Sequence, residues 1–339
     1  MKDIAKAAGV AQSTVSRILN DTPLLVPISQ ETRERVLAAA AELKYRPNPH
    51  ARGLRGAPTM LLGAIVRDVT DPFFAGAIDV LSQEARQRGY RVVLGHARER
   101  ADEALALAAV LEARQCDAIV IVGDMRNQPR LMEDLESVHV HVPVVAVWHG
   151  ARHDGFLTVN VDNRHGITAA LRHLTSLGHR RVAFVGDPVL GDIQERQDAY
   201  ERYLAARRLE VRRDYVQHVR NTFADGMAAF EALMALSERP TAVVAATDVL
   251  AIGVLHAASD NGIAVPEEFS VVGFDDIPFA AMTVPALTTV RMPVEKMVQA
   301  AVAMAVDKRL HNAAGTPRGF RVFRPTLVIR RSTAKLEGV

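Results

Sequence analysis

The stretch that spans residues 3–20 reads DIAKAAGVAQSTVSRILN and contains two short helical patterns joined at Gly9. Apolar residues recur at helical spacing up to Gly9, and glycine suits the left-handed turn that follows a helix. The second pattern covers about residues 11–19 and has one apolar and one polar face. Two short helices joined in this way are typical of a helix-turn-helix, whose second helix can enter the major groove of a duplex.

The polar face of this second helix carries groups that can contact DNA. Arg17 can donate two hydrogen bonds to guanine, and the amide of Gln12 can bond adenine. Short polar groups suited to phosphates or base edges belong to Ser13, Thr14, Ser16 and Asn20. From the pattern alone, a three-helix cap with a solvated polar face remains an alternative.

A third helix is predicted from Ser29, a suitable N-cap, to about Leu43. The prolines at 47 and 49 end this region, and the following segment reads as a linker up to the sequence Gly56-Ala57-Pro58. We therefore predict a small all-α helix-turn-helix head over residues 1–47 and a linker over residues 48–58.

Composition excludes several classes of protein. The chain has 339 residues, 49% of them hydrophobic and 24% charged, which suits a globular protein of two or three domains. No apolar stretch reaches the roughly 18 residues of a membrane helix, and the N-terminus lacks the pattern of a signal peptide. Cys116 is the only cysteine, so no intramolecular disulfide is possible. We expect a cytoplasmic protein with no membrane association.

Charge is distributed unevenly along the chain. Residues 1–56 hold nine basic and five acidic side chains, whereas the remainder holds 32 basic and 34 acidic ones. A basic head on a slightly acidic body suggests that the head meets a polyanion, although a surplus of this size is common.

From Met60 onward, short β-rich runs alternate with amphipathic helical stretches. Apolar strands that alternate with helices indicate parallel sheets covered on both faces. About 280 residues are too many for one such sheet, so residues 59–339 are predicted to form a core of two α/β lobes. The clearest strands are predicted at residues 60–66, 91–95, 118–122, 144–147, 182–185, 242–246 and 271–274.

Motifs for catalysis and for cofactors are lacking in the sequence. It contains no Walker loop, no glycine-rich dinucleotide fingerprint and no nucleophile elbow. His139 and His141 have no convincing third metal ligand, and His149 and His153 are interpreted as surface residues. We therefore predict no enzyme, no cofactor and no metal.

A series of motifs along the whole chain resembles the lactose/galactose repressor (LacI/GalR) family of transcriptional regulators. In the head these motifs are DIAKAAGV (3–10), STVSRILN (13–20), TRERV (32–36) and LKYRPN (43–48). In the core they are DPFF (71–74), VDN (161–163), GH (178–179), TD (247–248) with Ala251 and Gly253, VGFDDI (272–277), PALTTV (285–290), RP (324–325) and RRS (330–332). They occur in the expected order and spacing.

The resemblance implies that residues 48–58 include a hinge helix, which forms on double-stranded operator DNA. Leu54 would then wedge into the minor groove and bend the duplex, and Arg52 would face phosphates. Tyr45 and Asn48 complete the DNA-contacting residues that it implies. A linker role for Leu54, docked on the core, is the alternative.

The resemblance also implies a core built like a periplasmic sugar-binding protein. The first lobe would comprise about residues 59–160 plus 288–320, and the second about 161–287 plus 321–331. The chain would cross between the lobes near residues 160–162, 285–289 and 318–324. Ligands of such folds bind at the carboxyl ends of the strands. Seven residues map to this cleft: Asp71, Phe73, Phe74, Trp148, Arg196, Asp248 and Asp275.

These seven residues suit a small polar effector. Aromatic rings stack on the apolar face of a sugar or base, and Asp and Arg bind its polar edge. The alternatives are core packing for at least one of Phe73 and Phe74, and a helix-capping role for Asp248. A sugar or sugar derivative is the leading effector class, and a nucleoside or nucleobase is the second.

Together these features predict a homodimeric, allosteric repressor on a near-palindromic operator. A solute-binding protein would share the core, but the basic head argues against it. A sugar-processing enzyme would need a catalytic pair or a metal, for which we find no candidate residues.

Overall fold

The computed structural model describes residues 1–19, 28–43, 45, 58–126, 131, 134–135, 142–148, 157–307 and 319–336. The chain divides into two compact units, a head of Met1–Thr59 and a core of Met60–Val339. No helix in these residues is both long enough and apolar enough to cross a membrane.

The head contains three helices, α1 (Lys2–Ala8), α2 (Gln12–Leu19) and α3 (Gln30–Glu42). Gly9 adopts the left-handed conformation, with φ of 65°, which confirms the turn predicted there. Ser29 caps α3, because its side chain accepts a hydrogen bond from the Thr32 backbone N–H at 3.3 Å. The three helices pack around small apolar side chains: Ile4, Ala5, Ala8, Val15, Ile18, Val36, Ala39 and Ala40.

The first lobe of the core is built on a six-stranded parallel sheet. Its strands are β1 (Leu61–Val66), β2 (Arg91–His96), β3 (Ala118–Val122), β4 (Val144–Val147), β5 (Leu157–Val161) and β11 (Gly319–Phe323), in the order β11-β5-β4-β3-β1-β2. The helices α4 (Pro72–Gln87), α5 (Ala101–Ala113) and α10 (Val294–Val306) cover it. Strands β3, β4 and β5 are buried throughout, as expected for a sheet covered on both faces.

The second lobe repeats this construction. Its strands are β6 (Val182–Gly186), β7 (Val216–His218), β8 (Ala242–Ala245), β9 (Ser270–Asp275), β10 (Thr288–Arg291) and β12 (Thr326–Val328), in the order β12-β10-β9-β8-β6-β7. Only β12 pairs antiparallel to its neighbour within this sheet. The helices are α6 (Asn163–Ser176), α7 (Gly191–Ala206), α8 (Phe223–Met234) and α9 (Asp248–Asp260), with short 3-10 turns at Arg213–Tyr215 and Pro278–Ala281.

The structure corrects the predicted division between the lobes. Residues 288–291 were assigned to the first lobe, but they form β10, which pairs with β9 in the second sheet. The boundary at 320/321 was also wrong, because residues 319–323 pair as one strand with β5 in the first sheet. The chain therefore crosses between the lobes at residue 162, at residues 292–293 and at residues 324–325. Backbone pairing places each strand in one sheet along its whole length, so the crossings fall between strands.

Candidate functional site

The polar face of α2 is solvent-facing, whereas its apolar face packs inside the head. Val15 and Ile18 are buried in the head core. The predicted DNA-contacting residues on the opposite side are exposed at Gln12, Ser13 and Arg17 and half-buried at Thr14 and Ser16. The amphipathic sequence of α2 thus presents one guanidinium, one amide and three hydroxyl groups on a single surface.

Tyr45 occupies a different position in the head. It is half-buried and packs against the apolar cluster of the three helices, and its backbone N–H donates to the Ala40 carbonyl at 2.9 Å. Its DNA contact stays a prediction. The other predicted DNA contacts, Asn20, Asn48, Arg52 and Leu54, lie outside the described residues, as does the hinge over residues 48–57.

Within the core, the two lobes meet at the carboxyl ends of β1, β3 and β6. Hydrogen bonds cross between them here: Asn221 Nδ2 to Asp71 Oδ2 at 3.0 Å, Gly191 N to Asp124 Oδ2 at 2.6 Å, and Arg126 Nη2 to Asp187 Oδ2. This interlobe cleft is thus closed over part of its length by polar contacts.

Asp124 has a distinct role in that closure. Helix α7 receives no side-chain cap from its own N-cap residue, Leu190. Asp124, from the first lobe, instead accepts from the N–H of Gly191 at the start of α7. Burial, aided by the nearby Asp192 carboxylate, raises the pKa of Asp124 to about 7.

Arg196, on α7, is only 2% exposed and lies within 4 Å of the carboxylates of Asp192 and Asp275. Its Nε donates to Asn163 Oδ1 at 3.0 Å, and its Nη1 donates to the Ala246 carbonyl. The guanidinium stacks on the Phe274 ring, 3.8 Å from its centre. Contacts from α6, from β9 and from Ala246, directly after β8, therefore fix this side chain in one orientation.

Asp275 ends β9 and faces Arg196, with Nη1 and Oδ1 3.6 Å apart. Burial raises the pKa of Asp275 well above its ordinary value, against the opposing effect of Arg196. Asp275 and Asp276 both have positive φ, 117° and 60°, in a conformation that side chains other than glycine rarely adopt. Ion pairs from Arg291 and Arg330 to Asp276, both at 2.5 Å, hold this strained turn.

A cavity of about 530 Å³ opens beside Asp275, between α4 and the crossing that leads into α10. Phe73, Ala77 and Val80 of α4 form one wall, and Ile277 and Met292 contribute to the other. Two of the seven predicted effector residues, Phe73 and Asp275, line this cavity. Its volume is in the range of small-molecule sites.

The other predicted aromatic residues are packed beneath the cavity wall. Phe74 and Trp148 are 1% and 3% exposed, and their ring centres lie 5.2 and 4.9 Å from that of Phe73. Trp148 Nε1 donates a hydrogen bond, 3.2 Å long, to the sulfur of Met297. Met297 belongs to α10. The core-packing alternative therefore describes Phe74 and also Trp148, and Phe73 is the ring that borders the cavity.

Asp71 and Asp248 use their carboxylates within the protein. Asp71 Oδ1 accepts from the Phe73 N–H at 2.9 Å and so caps α4. Asp248 accepts from Thr289 Oγ1 at 2.5 Å and from the Ile277 N–H at 2.9 Å, and burial raises its pKa to about 7. The suggested capping role belongs instead to Thr247, whose hydroxyl accepts from Leu250 N. Asp248 thus supports the cavity wall from behind.

Two residues that were not predicted from the sequence, Arg67 and Asp192, face each other across the cleft. Both are buried, and Arg67 Nη1 lies 3.7 Å from Asp192 Oδ1. These two atoms and Arg67 Nε have no hydrogen-bond partner among the described residues. The position of Arg67 directly after β1, at a strand end that borders a cleft, was the available signal.

Ion pairs continue from Arg67 through the cleft to the cavity. Arg196 lies 3.5 Å from Asp192 and 3.6 Å from Asp275, and Arg67 lies 3.9 Å from Asp71. Each separation exceeds the 2.7–3.2 Å of a good N–H···O bond. The charges therefore attract one another without forming good hydrogen bonds.

The chemistry of this arrangement is that of a binding site. It offers fixed donors, carboxylate acceptors and one apolar wall within a partly closed cleft. Among the residues that the structure describes, no group of three or more His, Cys, Asp or Glu side chains is arranged to hold a metal ion.

Together, a helix-turn-helix head and a two-lobed core with a polar interlobe cleft define a ligand-responsive regulator. Residues 1–48 match the family described as bacterial regulatory proteins, lacI family, and residues 171–333 match the periplasmic binding protein-like domain. The regulator GalS of Salmonella typhimurium is 32% identical over 98% of this chain and 96% of its own length.

Two solved structures extend the comparison. The structure of a Lac repressor dimer bound to operator and an anti-inducer aligns with this chain over 98% of both chains, with a TM-score of 0.86 and 24% identity. This similarity shows the fold. The complex of the transcriptional regulator CelR with cellobiose covers 98% of both chains, with a TM-score of 0.72 at 28% identity. The chain belongs to the LacI family of transcriptional regulators, which confirms the family and fold class predicted from its motifs.

Proposed function

We propose that this regulator binds a near-palindromic operator as a homodimer through α2 and represses transcription under the control of a neutral sugar in the interlobe cleft. It acts by binding alone, without catalysis. The observation that carries the effector assignment is the ion pair of Arg67 and Asp192, in which three buried polar atoms make no hydrogen bond among the described residues. Arg196 links this pair to Asp275 at the wall of the cavity.

Dimer formation is supported by an exposed apolar patch on the second lobe. Phe279, Met282 and Val284 are 53%, 72% and 96% exposed. Large apolar side chains clustered on a surface are typical of protein interfaces. One solved relative is described as a Lac repressor dimer, which supports a second copy of this chain as the protein that covers this patch.

Arg17→Ala is expected to reduce discrimination between operator variants about 5- to 150-fold, because one bidentate base contact contributes about 1–3 kcal/mol. Duplexes are first selected from a random library with the wild-type protein. A near-palindromic consensus among them would support two-fold binding. Affinities of both proteins for the consensus and for its single-base variants are then measured by fluorescence anisotropy.

The matched control is Arg35→Ala, which removes an exposed arginine from α3 rather than α2. It is expected to keep the wild-type preference. An Arg17→Ala protein with unchanged preference among the variants would contradict base readout by this residue.

A neutral sugar fits the cleft because a hydroxyl both donates and accepts hydrogen bonds. These atoms are enclosed in this structure, so the sugar would enter between the lobes when they part. One hydroxyl would then accept from Arg67 Nη1 and donate to Asp192 Oδ1, and a neighbouring one would accept from Arg67 Nε. An anionic ligand would meet the carboxylates of Asp71, Asp192 and Asp275. Burial of Phe74 and Trp148 leaves fewer ring faces for a nucleobase, the second candidate.

The effector class is tested by a thermal-shift panel of neutral mono- and disaccharides, polyols, nucleosides and nucleobases. We expect a neutral sugar to raise the melting temperature, since a ligand at 100 times its Kd adds about 2.7 kcal/mol of stability. The same sugar should change the affinity for the selected operator. A shift by nucleobases alone would replace the sugar with the second candidate.

A further inference from the structure

A second pocket, of about 260 Å³, lies on the second lobe and is lined by Arg172, Thr175, Ser176, Arg180, Arg207 and Leu209. It lies at the carboxyl ends of the neighbouring helices α6 and α7, which end at Ser176 and Ala206. Asn163 and Arg196, which meet in the cleft, lie towards the amino ends of the same helices. Because a helix rises about 1.5 Å per residue, the 16-residue α7 places this pocket well over 10 Å from Arg196.

Two of its arginines are held in place by contacts within the protein. Arg180 Nη1 donates to the carbonyls of Thr175 at 2.9 Å and His179 at 3.1 Å. The Arg207 guanidinium lies 5.4 Å from the centre of the Tyr203 ring, and the Tyr203 hydroxyl is hydrogen-bonded to Thr175 Oγ1 at 2.9 Å. Thr175 thus links the supports of both guanidiniums, and a ligand would meet partly preorganised donors.

The positive charge of this pocket is not neutralised by acidic side chains. None of Arg172, Arg180 and Arg207 forms an ion pair with a carboxylate in the described ranges, although Arg202 on α7 pairs with Asp198 at 3.2 Å. Each helix end contributes about half a negative charge, so the two ends offset about one of the three positive charges. A surplus of about two remains at one concave surface.

We propose that this pocket binds the phosphate group of a small phosphorylated metabolite. A phosphate dianion matches the surplus charge, and its oxygens can accept hydrogen bonds from several guanidiniums at once. The pocket is smaller than most whole-ligand sites, so it suits a phosphate and the few atoms next to it. The site is separate from the sugar site in the cleft and does not depend on that assignment.

The experiment is calorimetric titration of the full-length protein, in phosphate-free buffer, with inorganic phosphate, pyrophosphate and glucose 6-phosphate. We expect saturable binding that weakens as salt is raised. Arg172→Gln should weaken it at least about tenfold, the effect of about 1.4 kcal/mol from one charge-assisted hydrogen bond. This side chain makes no hydrogen bond or ion pair among the described residues, so the variant isolates ligand binding from folding.

Arg207→Gln should have a similar effect, whereas Arg202→Gln, on the same helix but paired with Asp198, should bind as wild type does. Tighter binding of glucose 6-phosphate than of inorganic phosphate would assign the pocket to a phosphate ester, and the reverse would assign it to free phosphate. The proposal would be overturned if no saturable binding is observed, or if Arg202→Gln loses as much affinity as Arg172→Gln and Arg207→Gln do. In that case the arginines serve only to offset the helix ends. Neither result bears on the neutral-sugar panel.

Discussion

Replacing Arg196 with alanine is expected to abolish the response to the cleft effector and to lower the free energy of unfolding by about 3–5 kcal/mol, because removing one partner leaves buried charges uncompensated. Arg196 is 2% exposed and lies between the carboxylates of Asp192 and Asp275. Its loss also exposes a face of the Phe274 ring to a void. Urea unfolding followed by circular dichroism measures the loss of stability, and effector-dependent operator affinity measures the loss of response.

Two further variants separate folding from response. Arg202→Ala removes an exposed arginine from the same helix and should change stability by less than about 0.5 kcal/mol. Arg196→Lys keeps the charge but loses the planar donor group that bonds Asn163 and stacks on Phe274. We expect it to be more stable than Arg196→Ala and still unresponsive. A normal effector response in Arg196→Ala would show that the effector binds elsewhere.

Gly253→Ala is expected to lower the free energy of unfolding by about 1–3 kcal/mol or more, as overpacking of a close interface does. Gly253 lies where α9 crosses α8, and a Cβ there would overlap the Phe223 carbonyl and lie 3.1 Å from the Gly226 Cα. These are backbone atoms, so one helix must move to admit a methyl group. Urea unfolding of the purified variant gives the change directly.

Gly76→Ala is the matched control, because Gly76 is also within a helix but a Cβ there meets nothing within 4 Å. Alanine in an open helical position stabilises by up to about 1 kcal/mol relative to glycine. The two substitutions should thus change stability in opposite directions. Equal stability of the two variants would contradict the close approach of α8 and α9.

The head and the general plan of the core could be predicted because their signals are local. Gly9 marks a turn by its own conformational preference, and fully apolar runs such as residues 118–122 identify buried strands. The edge strands β11 and β12 were harder to find, since they are short and largely or partly exposed. Their sequences lack the continuous apolar run that identifies a central parallel strand.

The candidate site was predictable only in part. Arg196 and Asp275 were both expected in the cleft, and the structure brings them within 3.6 Å. Trp148 was expected to face a ligand, but its partner Met297 comes from a helix about 150 residues later. Burial against so distant a segment leaves no local signal. The place of Arg67 directly after β1 was a local signal, but its ion pair with Asp192 exists only once the lobes meet.

The order in which the chain crosses between the lobes has a consequence for how the protein is made. The first lobe lacks α10 and β11 until residue 323 has been synthesised, and the second lacks β12 until residue 328. The ribosome must therefore produce almost the entire chain before either sheet is complete. The head is a compact unit that is synthesised before both lobes, so an unfinished polypeptide carries its DNA-binding element before it has a finished receptor to control it.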